Sequence, residues 1–319
     1  MWTYILFVLG FILLIKGAGF LVDGSSSIAK RFGVSDLIIG LTIVSFGTST
    51  PELLVNIFAS LQGDGDIGIG NILGSNIANI LLILGISALI FPLTVKRQIT
   101  WKEIPLNLLA ALVLFFVAND VLLENADQSI LTYRDGLILM SFFAIFVYYM
   151  AHLARSEKNG HEKPLADKKP LWLALLMTIG GIIGLAYGGQ WVVEGAKTIA
   201  SAFGLSDALI GLTIVAIGTS LPELATSAVA AYKKNTDIAV GNVVGSNIFN
   251  IFWVLGLSAV IKPLPFSPMI NTDILVFIGA TLLLFIFSFT GGHQKIERRE
   301  GALFLAAYVA YIIFLVWRG

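Results

Sequence analysis

Residues 40–52 read Gly-Leu-Thr-Ile-Val-Ser-Phe-Gly-Thr-Ser-Thr-Pro-Glu, and residues 211–223 read Gly-Leu-Thr-Ile-Val-Ala-Ile-Gly-Thr-Ser-Leu-Pro-Glu. Each copy sets a carboxylate beside a Gly/Thr/Ser/Pro run inside an otherwise apolar segment. A charge at bilayer depth is expensive even on lenient scales, about 2.5–3.5 kcal/mol, so it has to face a cavity or a partner. Gly47 and Pro51 weaken the helix at the same place, and the backbone carbonyls released there need other partners. A broken membrane helix carrying a buried carboxylate, present twice, has the pattern of an ion site.

The rest of the chain puts these segments in a membrane. Of 319 residues, 57% are hydrophobic and only 13% charged, and the mean hydropathy is +0.88. Soluble domains carry about a quarter charged residues. Runs near the roughly 20 residues that span a bilayer recur along the whole length. The pattern predicts an all-α membrane protein with ten transmembrane helices, at about 3–22, 36–62, 67–91, 104–123, 130–151, 171–193, 207–232, 238–261, 270–289 and 300–317. Lys16, inside the first, snorkels or faces protein. With no cysteine, disulfides and thiolate metal sites are excluded. His152, His161 and His293 fall in or beside polar loops and read as solvated. No basic stretch precedes the first apolar run, so a cleaved signal peptide is not expected.

The two halves align without a gap. With 36–85 set against 207–256, 26 of 50 positions are identical, and the identities gather on polar and glycine positions. The division is a first five-helix repeat at 1–153 (motifs 40–56 and 70–85), a linker at 154–170, and a second repeat at 171–319 (motifs 211–227 and 241–256). Five spans per half is an odd number, so the second half is inverted in the membrane. Many secondary transporters have this plan, with broken helices and the site at the midplane.

Charge orients the bundle. Lys30, Arg31, Lys96, Arg97, Lys102, Arg155, Lys158, Lys163, Lys168, Lys169, Lys233, Lys234, Lys295, Arg298 and Arg299 fall on one side, and only Arg134, Lys197, Lys262 and Arg318 on the other. The first side is cytoplasmic by the positive-inside rule, which places both termini outside and the protein in the plasma (inner) membrane.

The repeated stretches carry oxygen ligands. Thr48 with Glu52, and Ser75 with Asn79, are spaced i, i+4 and share a helix face. Thr219 with Glu223, and Ser246 with Asn250, repeat the arrangement. Hard cations such as Na⁺ and Ca²⁺ take oxygen ligands, six to eight for Ca²⁺. Two carboxylates, the hydroxyls and amides, and main-chain carbonyls at Ser45 and Ala216 supply that number. Two carboxylates also neutralise one divalent ion. Gly70, Gly74, Gly241 and Gly245 read as helix-packing positions. Asn71 and Asn242 read as ties for the broken-helix backbone.

Together with Gly70-Asn-Ile-Leu-Gly-Ser-Asn-Ile-Ala-Asn79 and Gly241-Asn-Val-Val-Gly-Ser-Asn-Ile-Phe-Asn250, these motifs resemble the two α-repeats of the sodium/calcium exchanger family, over nearly the whole chain. The resemblance implies alternating access, several Na⁺ exchanged for one Ca²⁺, and no cofactor beyond the transported ions. It implies as ligands Ser45, Thr48, Ser49, Glu52, Ser75, Asn79, Ala216, Thr219, Ser220, Glu223, Ser246 and Asn250, with Ser45 and Ala216 contributing main-chain oxygens. It implies also that the first and sixth spans slide as a gating pair. Two departures matter. Some relatives carry an Asp at the position of Asn250, and the 154–170 linker is too short for large Ca²⁺-sensing domains. The chain resembles the minimal prokaryotic form.

Other readings remain at this stage. Cation/proton antiporters of the superfamily place an acid shortly after the Gly-Asn pair, and this chain has none there. A potassium-dependent exchanger and a passive cation channel are alternatives. An intramembrane hydrolase could use two carboxylates as an acid/base pair but has no need of two sets of hydroxyl and amide oxygens.

Overall fold

The first helix, α1 (Trp2–Phe32), continues ten residues past the predicted end of its span. The polar Gly-Ser-Ser-Ser stretch stays helical, and Ser25 returns its hydroxyl to the Leu21 carbonyl one turn earlier. Lys30 and Arg31 in the last turn suit the negative end of the helix dipole. Gly33, at φ 69°, then stops the helix, and Val34 N–H bonds back to the Ala29 carbonyl at 3.0 Å. At a 1.5 Å rise per residue α1 is about 46 Å long, so it projects beyond a hydrocarbon layer of about 30 Å. The computed structural model describes residues 2–62, 65–124, 126–158, 169–202, 216–290 and 294–318.

The broken span is α2 (Asp36–Thr48) and α3 (Thr50–Gln62), bent by 45°. Ser35 caps α2, accepting from Ile38 N–H at 3.4 Å. The chain turns at Ser49 (φ −83°, ψ 7°), between the predicted weak points Gly47 and Pro51. There follow α4 (Gly68–Ile90), α5 (Ile99–Val117) and α6 (Tyr133–Lys158). α5 lies about five residues earlier than predicted, because a π turn at Ile99–Glu103 starts it and the helix ends at Val117. A separate short helix, Asp120–Glu124, covers the end of the expected span.

The second half repeats the series as α7 (Leu171–Ala202), α8 (Ala216–Thr219), α9 (Leu221–Tyr232), α10 (Thr236–Ile261), α11 (Asn271–Thr290) and α12 (Arg298–Arg318). Like α1, α7 overruns its predicted span. Among the described residues, eight helices are long and apolar enough to cross a membrane, nine with the bent pair counted as one span. The predicted span at 207–232 is described only from residue 216 onward. Ser220 (φ −84°, ψ 4°) repeats the backbone of Ser49 there. His152 and Lys16 are exposed, whereas His161 and His293 lie outside the described residues.

α4 and α10 form the centre of the bundle, 78% buried over their membrane-length windows. Both change to π turns midway, at Asn79–Ile83 and Phe249–Leu255, a feature concentrated at functional positions. α1 and α7 pack antiparallel, backbone on backbone. A Cβ on Gly17 would stand 3.0 Å from the Gly181 carbonyl oxygen, and one on Gly10 2.9 Å from that of Gly188. Only glycine fits such an approach.

Two antiparallel straps join the halves. β1 (Leu93–Thr94) pairs with β4 (Lys295–Ile296), and β2 (Ser129–Leu131) with β3 (Leu264–Phe266). The first strap gathers Lys96 and Lys295 at one end of the bundle, where Lys96 meets Asp237 and Lys233 meets Asp23, each at 2.6 Å. Beside the second strap, Asn119 and Asn271 exchange amide bonds of 2.8 and 2.6 Å.

Candidate ion-binding site

The chain breaks at Ser49 and Ser220 do more than bend a helix. Each starts a new helix directly before a carboxylate, so Glu52 and Glu223 lie in the first turns of α3 and α9. The positive end of a helix dipole favours a negative charge there. Ser45, Thr48, Ser49, Glu52, Ser75, Asn79, Ser220, Glu223, Ser246 and Asn250 are all no more than 3% exposed. Thr219 is partly buried. Ala216 is described only as the first residue of α8.

The two halves meet through these side chains. Ser49 Oγ donates to Glu223 Oε1 at 2.8 Å, and Ser246 Oγ approaches the same oxygen at 3.4 Å. The Ser75 and Thr219 hydroxyls stand 3.4 Å apart. Thr48 donates to Asn242 Oδ1 at 3.0 Å, and its counterpart Thr219 to Asn71 Oδ1 at 3.2 Å. The Asn242 amide in turn donates to the Glu223 carbonyl at 3.4 Å and to Ser227 at 3.0 Å, tying the broken helix as its sequence position suggested.

The asparagines are oriented by a second reciprocal pair. Asn79 Nδ2 donates to Asn247 Oδ1, and Asn250 Nδ2 to Asn76 Oδ1, both at 2.9 Å. The opposite ends, Asn79 Oδ1 and Asn250 Oδ1, have no hydrogen-bond partner among the described residues. Neither do Glu52 Oε1 and Oε2, Glu223 Oε2, or Ser220 Oγ. Buried acceptors are normally satisfied, and leaving one unmade costs about 1–3 kcal/mol. Carboxylate, amide and hydroxyl oxygens collected from both halves make an oxygen set for a hard cation.

Two details were not anticipated. Asn76 and Asn247 orient the Asn250 and Asn79 amides, although only their place in the repeated Gly-Ser-Asn run could have pointed to them. The Ser45 carbonyl, expected to be released by the break, stays in the helical ladder. It accepts Ser49 N–H at 3.0 Å and the Thr48 hydroxyl at 3.3 Å, because the chain turns one residue later. The halves also differ: Ser49 reaches Glu223, whereas Ser220 does not reach Glu52.

A sequence profile for the sodium/calcium exchanger protein matches residues 2–151 and 173–317. The chain belongs to the sodium/calcium exchanger family. Within this family it is 41% identical to a putative antiporter, CaxA, of Alkalimonas amylolytica, over 96% of both chains. It is 33% identical to the sodium/calcium exchanger MaX1 of Methanosarcina acetivorans, over 99% of both. The fold matches that of the sodium-calcium exchanger NCX_Mj soaked with 2.5 mM Na⁺ and 0.1 mM Ca²⁺, with a TM-score of 0.81, 37% identity and 98% of each chain covered. Like other members of the sodium/calcium exchanger family, this multi-pass helical protein is a cation antiporter rather than an enzyme.

Proposed function

We propose that this protein exchanges Na⁺ for Ca²⁺ across the plasma membrane by alternating access, electrogenically, through one cluster of ligands at the midplane. The ligands are Ser45, Thr48, Ser49, Glu52, Ser75, Asn79, Ala216, Thr219, Ser220, Glu223, Ser246 and Asn250. The observation that carries the reading is the convergence of unpartnered buried oxygens of Glu52, Glu223, Asn79 and Asn250 from both halves. Two carboxylates balance one Ca²⁺, and several Na⁺ replace it when the site turns to the other side.

The architecture belonging to this reading is ten spans in two inverted repeats, 1–153 and 171–319, joined by a cytoplasmic linker at 154–170. Its seventh span begins at about residue 207. The 171-residue offset between corresponding bonds supports the repeat: Thr48 to Asn242 is matched by Thr219 to Asn71. The glycine contacts of α1 and α7 hold the two helices as one body, which slides across the rest and opens the site to each side alternately. Both termini are extracellular.

The test is ⁴⁵Ca²⁺ uptake into proteoliposomes with Na⁺, K⁺ or H⁺ gradients imposed one at a time. Uptake driven by internal Na⁺ alone is expected. Uptake driven only by a proton gradient would make the protein a Ca²⁺/H⁺ antiporter, and uptake without any counter-ion a channel.

A further inference from the structure

A second polar group lies on α5, and no hydrogen bond joins it to the ligand cluster among the described residues. Glu103 closes the π turn Ile99–Glu103 and is 0% exposed. Its Oε1 accepts from the Tyr149 hydroxyl of α6 at 2.7 Å and from Gln98 Nε2 at 3.1 Å, while its Oε2 has no partner among the described residues. Among the described residues no basic side chain forms an ion pair with it. Lys102 instead carries its ammonium over the Tyr149 ring, 5.4 Å from the centroid. Thr100 and Asn107, three residues before and four after Glu103, are fully buried too. Those spacings make neighbours on a helix face. Thr100 Oγ1, Asn107 Oδ1 and Asn107 Nδ2 also lack partners.

The second half contains the same device, completed. Asp273, in the first turn of α11, accepts from the Tyr311 hydroxyl of α12 at 2.9 Å, as Glu103 accepts from Tyr149. There Arg318 adds its guanidinium across both carboxylate oxygens, at 3.3 and 3.1 Å. Arg318 follows Tyr311 by seven residues, and the residue seven after Tyr149 is Ser156, which carries no charge. One carboxylate–tyrosine pair has a cation in direct contact; the other has, among the described residues, only the Lys102 ammonium on the far side of the Tyr149 ring.

We propose that Glu103, with Thr100 and Asn107, binds one monovalent cation, Na⁺, which does for Glu103 what Arg318 does for Asp273. The available oxygens are hard ligands, and one carboxylate balances one unit of charge. A divalent ion would leave a buried net charge without a partner, which is expensive. A buried water would satisfy hydrogen bonds but leave the carboxylate uncompensated. Protonation would remove the charge and supply a single O–H donor, enough for only one of the Thr100 and Asn107 oxygens. The ion ties α5 to α6 and is not transported.

The test uses the Glu52→Gln/Glu223→Gln protein, which lacks the carboxylates of the transport cluster, so its outcome does not depend on the exchange reading. Radiolabelled Na⁺ binding and thermal melting in NaCl against choline chloride are measured on the purified protein. One saturable Na⁺ site and a Na⁺-dependent rise in Tm are expected, and both are lost on adding Glu103→Gln. Asn107→Leu and Thr100→Val, near-isosteric and uncharged, are expected to weaken Na⁺ binding by about tenfold each, the equivalent of one lost ligand; they cover the case in which Glu103→Gln does not fold. Absence of a Na⁺ response in the double variant, as for a buried water only, would overturn the proposal. So would a response untouched by all three substitutions.

Discussion

Asn79 donates its amide hydrogens to Asn247 Oδ1 across 2.9 Å, and this bond decides which end of the Asn79 side chain faces the ligand cluster. With its nitrogen committed, Asn79 presents an oxygen, and Asn250, held by Asn76, does the same from the other half. An asparagine rotating freely would offer a donor half the time, which repels a cation. Asn247→Ala and Asn76→Ala are therefore expected to raise the Ca²⁺ concentration for half-maximal uptake by about tenfold, from a bond to a ligand worth about 1–1.5 kcal/mol. Neither residue is itself a ligand, so maximal rate is expected to fall less than apparent affinity. An unchanged Ca²⁺ dependence in both would show that the amides are oriented by something else.

The carboxylates are expected to be individually indispensable. Glu52→Gln and Glu223→Gln keep shape and hydrogen-bonding capacity but remove half the charge that balances Ca²⁺, so both are expected to fold and to lose Ca²⁺ exchange. For the same reason uptake is expected to decline as pH falls, because each proton bound by either glutamate removes a charge the ion needs. Near-normal exchange by either variant, measured as Na⁺-driven ⁴⁵Ca²⁺ uptake, would remove that residue from the site.

Exchange is expected to be voltage-sensitive and indifferent to K⁺. A state holding three or more Na⁺ against two carboxylates carries net positive charge, and moving one charge across 100 mV is worth about 2.3 kcal/mol. Asn79 and Asn250 are both neutral, so no further acid is present to compensate a co-bound K⁺. Uptake under a clamped potential, with and without external K⁺, checks both statements. Rates that ignore the potential, or that demand K⁺, contradict the charge count.

The contact of α1 with α7 admits no side chain at its closest points. A Cβ on Gly181 would meet Leu21 N at 2.6 Å and the Gly17 carbonyl oxygen at 2.8 Å, both backbone atoms that cannot turn aside. Gly181→Val is expected to destabilise by about 1–3 kcal/mol, the usual penalty for overpacking, and to slow transport by parting the helices. Gly180→Ala, whose Cβ would meet nothing within 4 Å, is the control and is expected to melt like the parent.

The orientation follows from loop charge alone and is open to a direct check. Single cysteines placed in this cysteine-free chain at positions 126 and 160 can be probed in intact cells with an impermeant thiol reagent. Labelling at 126 and protection at 160 are expected, and the reverse pattern would invert the protein.

What could be read before the structure was whatever depends on residue type and spacing. Glu52 and Glu223 in apolar surroundings, the Gly47–Pro51 weak point and the i, i+4 hydroxyl and amide pairs all rest on local chemistry that the folded chain keeps. Features set by the meeting of distant segments were not readable. The reach of Ser49 to Glu223 but not of Ser220 to Glu52 depends on how two halves that share the motif sit against each other. The π turns at Asn79 and Phe249 have no composition of their own. The overrun of α1 past residue 22 runs through Gly24-Ser-Ser-Ser27, residues that by their own preference favour caps and turns. Strands of two or three residues are too short to leave an alternating pattern.

Those short strands have a consequence of their own. In each strap one strand comes from residues before the 154–170 segment and its partner from residues after it, so every ladder bond between the halves is made by main chain outside the connecting segment. The same bonds could form between two separate chains, one ending before that segment and one beginning after it. What the covalent connection adds is a high effective concentration of one half for the other, and a guaranteed ratio of one to one. On this view the connecting segment is a matter of assembly kinetics, and a chain severed within it and expressed as two pieces retains every ladder residue of both straps.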